Sequence, residues 1–349
     1  MRRQIQTVEF APKKCRDPLA QRHRGTGAPR RVLSPARSIA AFLSCLCLLS
    51  SLAAIPSGAS AAEIHEKAGT TGFSFLKIIS GARATAMGGA FVAMDGDVNG
   101  MATNPASLAT IGARQVSATY TNYLVDTGFG MVGAAQALDE RRTFGAMLSY
   151  MSYGEFQGTD DKGWPTGTFG ANDLVLQGAL VQRVREDLAI GLGIKVALSS
   201  IESYTSDAYM MDLGLQYRTP MEGLSLGASL SNMGFVRSGF SEGFKDALPV
   251  SARVGFAHHV AHIPMLLVGE MILPNDNAMY FSGGTEISIR DVLFLRGGYN
   301  SLLKNLNEDN WAGAALGCGF QWTQYRLDYA YSFFAELKEA HRISIVGVF

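Results

Sequence analysis

Between Thr323 and Phe333 the chain alternates with a period of two. Tyr325, Leu327, Tyr329, Tyr331 and Phe333 fall on one face, and Gln324, Arg326, Asp328, Ala330 and Ser332 on the other. Successive side chains of a strand point to opposite sides, so this stretch reads as a strand with one apolar and one polar face. The pattern recurs. Asp207–Arg218 sets Tyr209, Met211, Leu213, Leu215 and Tyr217 against Met210, Asp212, Gly214, Gln216 and Arg218. Asp187–Ile201 sets Leu188, Ile190, Leu192, Ile194, Val196 and Leu198 against Ala189, Gly191, Gly193, Lys195, Ala197 and Ser199. In a water-soluble sheet the apolar face meets a core and the other meets water. Here the second face is mostly Gly, Ala and Ser, and aromatic residues flank the apolar band. Strands of about ten residues, apolar outside and small or polar inside, define an outer-membrane β-barrel. With 47% apolar residues, 39 Gly and only 17% charged residues, the composition suits closely packed strands.

Fourteen strands are expected, at 115–123, 128–138, 142–153, 171–184, 187–201, 207–218, 223–233, 249–259, 264–274, 279–289, 292–300, 310–321, 323–333 and 340–349. An even count brings both barrel termini to one side. The connections supply a second argument. Those after odd-numbered strands include 154–170, 234–248 and 301–309, whereas those after even-numbered strands are uniformly short, such as Arg185-Glu186 and Arg290-Asp291. Long loops outside and short turns on the periplasmic side are the barrel arrangement. A soluble fold has no reason to sort its loops by parity. No long uncharged apolar run follows residue 62, which argues against transmembrane helices there.

The start of the chain reads as an export signal. Arg30, Arg31 and Arg37 precede an uncharged stretch, Ser38–Ala62, which ends in Ala59-Ser60-Ala61. A basic start, an apolar middle and small residues before the cut define a signal peptide at 1–61, with residues 1–30 read as a mis-assigned start. The formal net charge is zero, but residues 1–37 hold ten Lys/Arg and two Asp/Glu, so the remainder is acidic. That sign gives no support to nucleic-acid binding. Cys15, Cys45 and Cys47 leave with the signal, and Cys318 alone permits no internal disulfide.

Ahead of the strands lies Gly81–Leu108, GARATAMGGAFVAMDGDVNGMATNPASL, crowded with small residues and without alternation. Phe73, Phe75, Leu76, Ile78 and Ile79 suit a barrel wall. Arg83–Met94 reads as one short helix in which Ala84, Gly88 and Gly89 permit close approach. Pro105 fixes a backbone angle and Asn104 suits a bond to its own backbone. Arg83 and Asp95 are expected to pair with lumen groups such as Asp212, Arg326 or Asp328. The run Gly81, Arg83, then Met87-Gly88-Gly89, then Asp95, then Asn104-Pro105-Ala106 resembles the PorV/PorQ family of outer-membrane proteins, relatives of the FadL-type transporters. The resemblance implies a fourteen-stranded barrel (113–349) with a helical hatch (62–112) in its lumen. It also implies one of two roles: transport of hydrophobic small molecules, or docking within type IX protein secretion.

Other motifs have plainer readings. Asp95-Gly96-Asp97-Val98-Asn99-Gly100 matches the first half of a calcium loop, but Ala106 stands where the bidentate Glu belongs. His258, His259 and His262 read as an interfacial turn and not a metal site. The remaining histidines of the mature part, His65 and His341, lie near its ends, so a catalytic Ser/His/acid set lacks its base and no enzyme or cofactor is expected. Phe156, Trp164 and Phe169 on one long loop, and Phe235, Phe240 and Phe244 on another, suit a ligand-uptake site, a docking surface, or packing across the mouth. The terminal Phe349, on a face with Ile345 and Ile343, resembles the signal read by the barrel assembly machinery. Expected partners are outer-membrane lipid, that machinery, and a hydrophobic small molecule or secretion-system proteins. The alternative is a secreted, water-soluble all-β structural or interaction protein.

Overall fold

The computed structural model describes residues 65–79, 81–112, 114–124, 127–303, 311–334 and 339–349. The expected signal peptide lies outside the described residues. Fourteen strands follow in chain order: β1 Gln115–Asn122, β2 Gly128–Ala137, β3 Arg142–Thr159, β4 Pro165–Arg183, β5 Leu188–Ile201, β6 Tyr204–Arg218, β7 Leu224–Ser238, β8 Ser251–His259, β9 Met265–Pro274, β10 Tyr280–Ile289, β11 Leu293–Asn300, β12 Ala314–Trp322, β13 Tyr325–Phe333 and β14 Glu339–Val348. Each pairs antiparallel with its neighbours, and β1 closes on β14 from Gln115↔Val348 to Asn122↔His341. Closure removes every sheet edge, which lipid requires because it offers no hydrogen bonds. Among the described residues no helix is long and apolar enough to cross a membrane.

The period-two pattern places the side chains. On β1, Gln115, Ser117, Thr119 and Thr121 are buried inside, while Val116 and Tyr120 stand outside. On β5 the outward Ile194 is 65% exposed, whereas the inward Ala197 has no exposed surface. On β12 the outward set is Leu316, Cys318 and Phe320. An apolar belt of this extent is covered by lipid. In water each such side chain would forfeit roughly 1.5–3 kcal/mol of burial, so the water-soluble alternative falls.

The strand count agrees with the sequence, but the strand lengths differ on one side. Residues 154–170, read as a loop, form an extension of the β3–β4 hairpin, with Phe156 opposite Phe169 and a turn at 160–164. Their five glycines give turn signals, yet register shifts at Ser152/Glu155 and Gly158/Thr159 absorb the irregularity without ending the ladder. β7 likewise runs on to Ser238, and β6 begins at Tyr204. The remaining long connections, 239–250 and 301–313, both follow odd-numbered strands, so one end of the barrel is tall and the other trimmed.

Candidate functional site

Residues 65–79 and 81–112 lie before β1, and most of them are buried. They start at the tall end. Thr71 bridges to Ala247 of the 239–250 loop, and the Gly72 amide donates to the Ala247 carbonyl at 3.0 Å. Asp276, in the turn after β9, accepts from Thr71 Oγ1 at 2.5 Å and from Lys77 Nζ at 2.6 Å. Burial raises the Asp276 pKa, but the Lys77 and Thr71 bonds outweigh it and hold the carboxyl below its ordinary value.

From Gly81 the chain descends through the barrel. The helix expected over Arg83–Met94 is one turn, α1 Ala82–Ala86. Gly88 and Gly89 end it with φ of 68° and 86°, a left-handed reversal that a side chain would resist. Single-turn helices follow at Val98–Ala102 and Pro105–Thr110. So irregular a backbone leaves many N–H and C=O groups without partners of their own. Inward wall residues supply them. Glu270 of β9 accepts from the Phe91 and Val92 amides at 2.7 and 2.8 Å. Gln115 accepts from the Val98 amide at 2.6 Å and donates to the Gly96 carbonyl at 3.1 Å. Gln216 donates to Ala93, Asn300 to Gly88, Arg183 to Ala109, and Gln177 to Met101.

Asn104, with no exposed surface, joins three parts of the molecule. Its Oδ1 accepts from the Ala106 amide at 3.0 Å, which shapes the turn that Pro105 begins. Its Nδ2 donates to the Val92 carbonyl at 2.7 Å and to the Leu215 carbonyl of β6 at 3.1 Å. The wall is cut away to admit this turn. A Cβ on Gly214 would stand 2.1 Å from Asn104 Oδ1, one on Gly227 2.1 Å from the Val92 carbonyl oxygen, and one on Gly298 2.2 Å from the Gly88 nitrogen. The glycines of the inner face are therefore sites of backbone contact with the segment. Gly191, from the Gly191-Leu192-Gly193 stretch, meets the Ala106 nitrogen in the same way.

The charges form a closed ring. Arg83 binds Glu286 of β10 through both carboxylate oxygens, at 2.8 and 2.7 Å. Glu286 binds Arg296 of β11 at 2.6 Å, Arg296 binds Asp328 of β13 at 2.7 Å, and Asp328 binds Arg326 at 2.7 Å. Arg326 binds Asp97 at 2.6 Å, and Asp97 returns to Arg83 at 3.7 Å. Three cations and three carboxylates cancel, and none of their side chains is more than 16% exposed. This corrects the expected pairing. Arg83 takes Glu286, not Asp212, which binds Lys195 at 2.8 Å. Asp95 pairs instead with Arg218, at the trimmed end of the lumen face of β6, at 3.1 Å. Asp97 is the inward carboxylate because its side chain caps the Val98–Ala102 turn through the Asn99 amide. Asn99 Oδ1 in turn accepts from Ser117, so two residues of the half calcium loop have other partners.

At the tall end the expected aromatic residues stand in separate groups. Phe156 and Phe169 stack across their hairpin with centroids 5.6 Å apart, while Trp164, 69% exposed, stands at its tip. Phe235 stacks on Tyr209 at 6.0 Å, a partner that a loop reading of 234–248 had no means to supply. Phe244 is exposed and Phe240 half-buried in the 239–250 loop. A further outer cluster has no signal in the sequence beyond strand alternation: Tyr331 lies edge-on to Phe333 and to His341, and the Tyr329 hydroxyl meets His341 Nδ1 at 2.8 Å. At the trimmed end Phe349 exchanges backbone hydrogen bonds with Arg114 and sets its ring edge against Tyr325.

A closed antiparallel barrel of fourteen strands, apolar outside and charged within, is an integral outer-membrane β-barrel. Three solved structures share this fold. The toluene transporter TodX of Pseudomonas putida aligns with a TM-score of 0.56 and 14% identity, covering 75% of this chain and 95% of TodX. A FadL homologue of Pseudomonas aeruginosa aligns at 0.53 and 12%, covering 77% and 98%. The monoaromatic hydrocarbon channel CymD aligns at 0.56 and 12%, covering 77% and 97%. No curated protein matches the sequence. The family model that matches is the type IX secretion system protein PorV, over residues 61–209. Residues 61–209 thus resemble PorV, and the barrel as a whole has the fold of these outer-membrane proteins.

Proposed function

We propose that the protein is a docking component of type IX protein secretion, in which residues 62–112 act as a hatch and the tall rim receives secreted proteins. The observation that carries this reading is the occupied lumen. Residues 81–111 bond to the wall from Arg183 and Arg218 at the trimmed end to Asn300 near the tall end. A barrel filled to this degree works at its rim unless the filling moves. The rim carries Phe156, Trp164 and Phe169 on one hairpin, Phe235 on β7, and Phe240 and Phe244 on the loop that follows it. Within the hatch, Gly81, Met87, Gly88 and Gly89 set the path, Arg83 anchors it to the wall, and Asn104, Pro105 and Ala106 seat its lower turn. Phe349 serves as the assembly signal, and residues 1–61 are removed on export.

A second reading, passage of a hydrophobic small molecule, is favoured by a cavity beneath the tall rim and by the fold shared with TodX and CymD. One experiment separates the two. In the native bacterium the gene is deleted and complemented with Trp164→Ala/Phe244→Ala. Surface display of secreted proteins and uptake of labelled toluene are then measured. Docking predicts that display is lost on deletion and falls in the variant, with uptake unchanged. Intact display with lost uptake would overturn docking and install the transport reading.

A further inference from the structure

The cavity beneath the tall rim has a volume of about 80 Å³, and three cations line it. Two are already engaged: Lys77 by Asp276 at 2.6 Å, and Arg253 by Glu270 at 2.8 Å. The third is Arg342 of β14. It is 2% exposed, and no carboxylate partners it among the described residues. Its Nε has no hydrogen-bond partner. The guanidinium lies over the Tyr123 ring, 5.7 Å from the centroid, and Phe334 packs edge-on against the same ring at 5.6 Å. A ring face attracts a cation but accepts none of its N–H groups in the plane of the fork. A buried guanidinium with unsatisfied donors is costly, and a carboxylate is the group that matches its geometry. The rest of the lining is mixed and includes the Tyr280 phenol and the apolar Ile78.

We propose that this cavity binds a small aromatic carboxylate, its oxyanion head on Arg342 and its ring against Tyr123, Phe334 and Ile78. A neutral hydrocarbon would fill the apolar half and leave the guanidinium unpaired, so the site selects for an acid over its hydrocarbon counterpart. A head-sized volume far below that of a drug-sized pocket suits such a ligand. The site goes beyond the docking reading and does not depend on it. Binding is measured on purified protein, so a negative result leaves the secretion assay untouched and the reverse also holds.

The test is calorimetric titration of the detergent-solubilised mature chain with benzoate, toluene and inorganic phosphate. Benzoate is expected to bind, toluene not to displace it, and phosphate to bind more weakly. Arg342→Gln is expected to weaken benzoate by at least about tenfold, as loss of a charge-assisted bidentate pair should. Ala315→Leu, which narrows the cavity and keeps the arginine, is expected to weaken it as well, and circular dichroism checks that each variant remains a barrel. Four results would overturn the proposal: no benzoate binding by the unaltered protein, equal binding by Arg342→Gln, displacement of benzoate by equimolar toluene, or phosphate binding as tight as benzoate.

Discussion

Arg83→Met opens the charge ring while keeping most of the apolar stem of the side chain. Glu286 then retains Arg296, and Asp97 retains Arg326. The ring is left with two cations and three carboxylates in a space where no member was more than 16% exposed. Removing one partner of a buried pair typically costs about 3–5 kcal/mol, because the other charge remains desolvated. The strands keep their own ladder, so the cost falls on the seating of residues 81–104, a local opening and not global unfolding. At about 1.36 kcal/mol per factor of ten, amide exchange in that segment should quicken by roughly 10²–10⁴-fold. Hydrogen exchange read by mass spectrometry on micelle-bound protein measures this directly. Arg83→Met/Glu286→Met restores neutrality, leaving the chain Arg296–Asp328–Arg326–Asp97. It should recover part of the protection, with a coupling of about 1–3 kcal/mol. Unchanged exchange in the single variant, or a double variant as exposed as the sum of its parts, would refute the ring as the seat of the segment.

The other predictions concern separate contacts. Asn104→Asp keeps the acceptor for the Ala106 amide but strands the Val92 and Leu215 carbonyls; exchange around residues 92 and 104–106 should quicken by an amount equivalent to about 1–3 kcal/mol, and a silent substitution would deny Asn104 its linking role. Gly227→Val should unseat the segment, because even a Cβ falls 2.1 Å from the Val92 carbonyl. Gly297→Ala, whose Cβ would meet only Leu316 at 3.8 Å, should be neutral when both variants are compared by limited proteolysis of residues 81–111, and equal effects would sink the contact argument. The Asp276 pKa is depressed in the folded protein, so its tie to Thr71 and Lys77 is fully present above the unfolded value and weakens as pH falls through the folded one. Protease access to residues 65–79 should therefore rise on acidification below about pH 4, and Asp276→Asn should flatten that profile; an identical profile would refute the tie. Ile194→Arg, at an outward position 65% exposed, should cost roughly 2–4 kcal/mol if that face meets lipid at mid-depth. A lipid-vesicle folding titration checks it, and no loss of stability would place the position outside the hydrocarbon.

The barrel was legible because strand alternation is a local signal. Tyr325 to Phe333 declare their faces without knowledge of any neighbour, and fourteen such runs give the count. The tall hairpins were less legible, since Gly154, Gly158, Gly163, Gly167 and Gly170 look like a loop until the pairing of Phe156 with Phe169 is known. Charge partners were least legible. Asp95 and Asp97 are two residues apart and chemically alike, and only the Asn99 cap and the position of Arg326 decide which joins the buried ring. Glu286 and Arg296 gave no sign in the sequence, because what distinguishes Glu286 is meeting Arg83 across some two hundred residues, and what distinguishes Arg296 is bridging Glu286 to Asp328 on another strand. Arg342 was silent for the same reason: its isolation is a property of its surroundings, not of its neighbours in the chain.

The inner glycines carry one more consequence. Gly214, Gly227 and Gly298 are hollows whose depth is set by the backbone that occupies them. The wall and the segment are thus matched as a cast is to its mould. A side chain added to either displaces the other, so the interior tolerates change only in matched pairs. The outer face, which meets fluid lipid, has no such counterpart. Variation among proteins built this way should therefore be freest on the outside of the barrel and most tightly coupled within it.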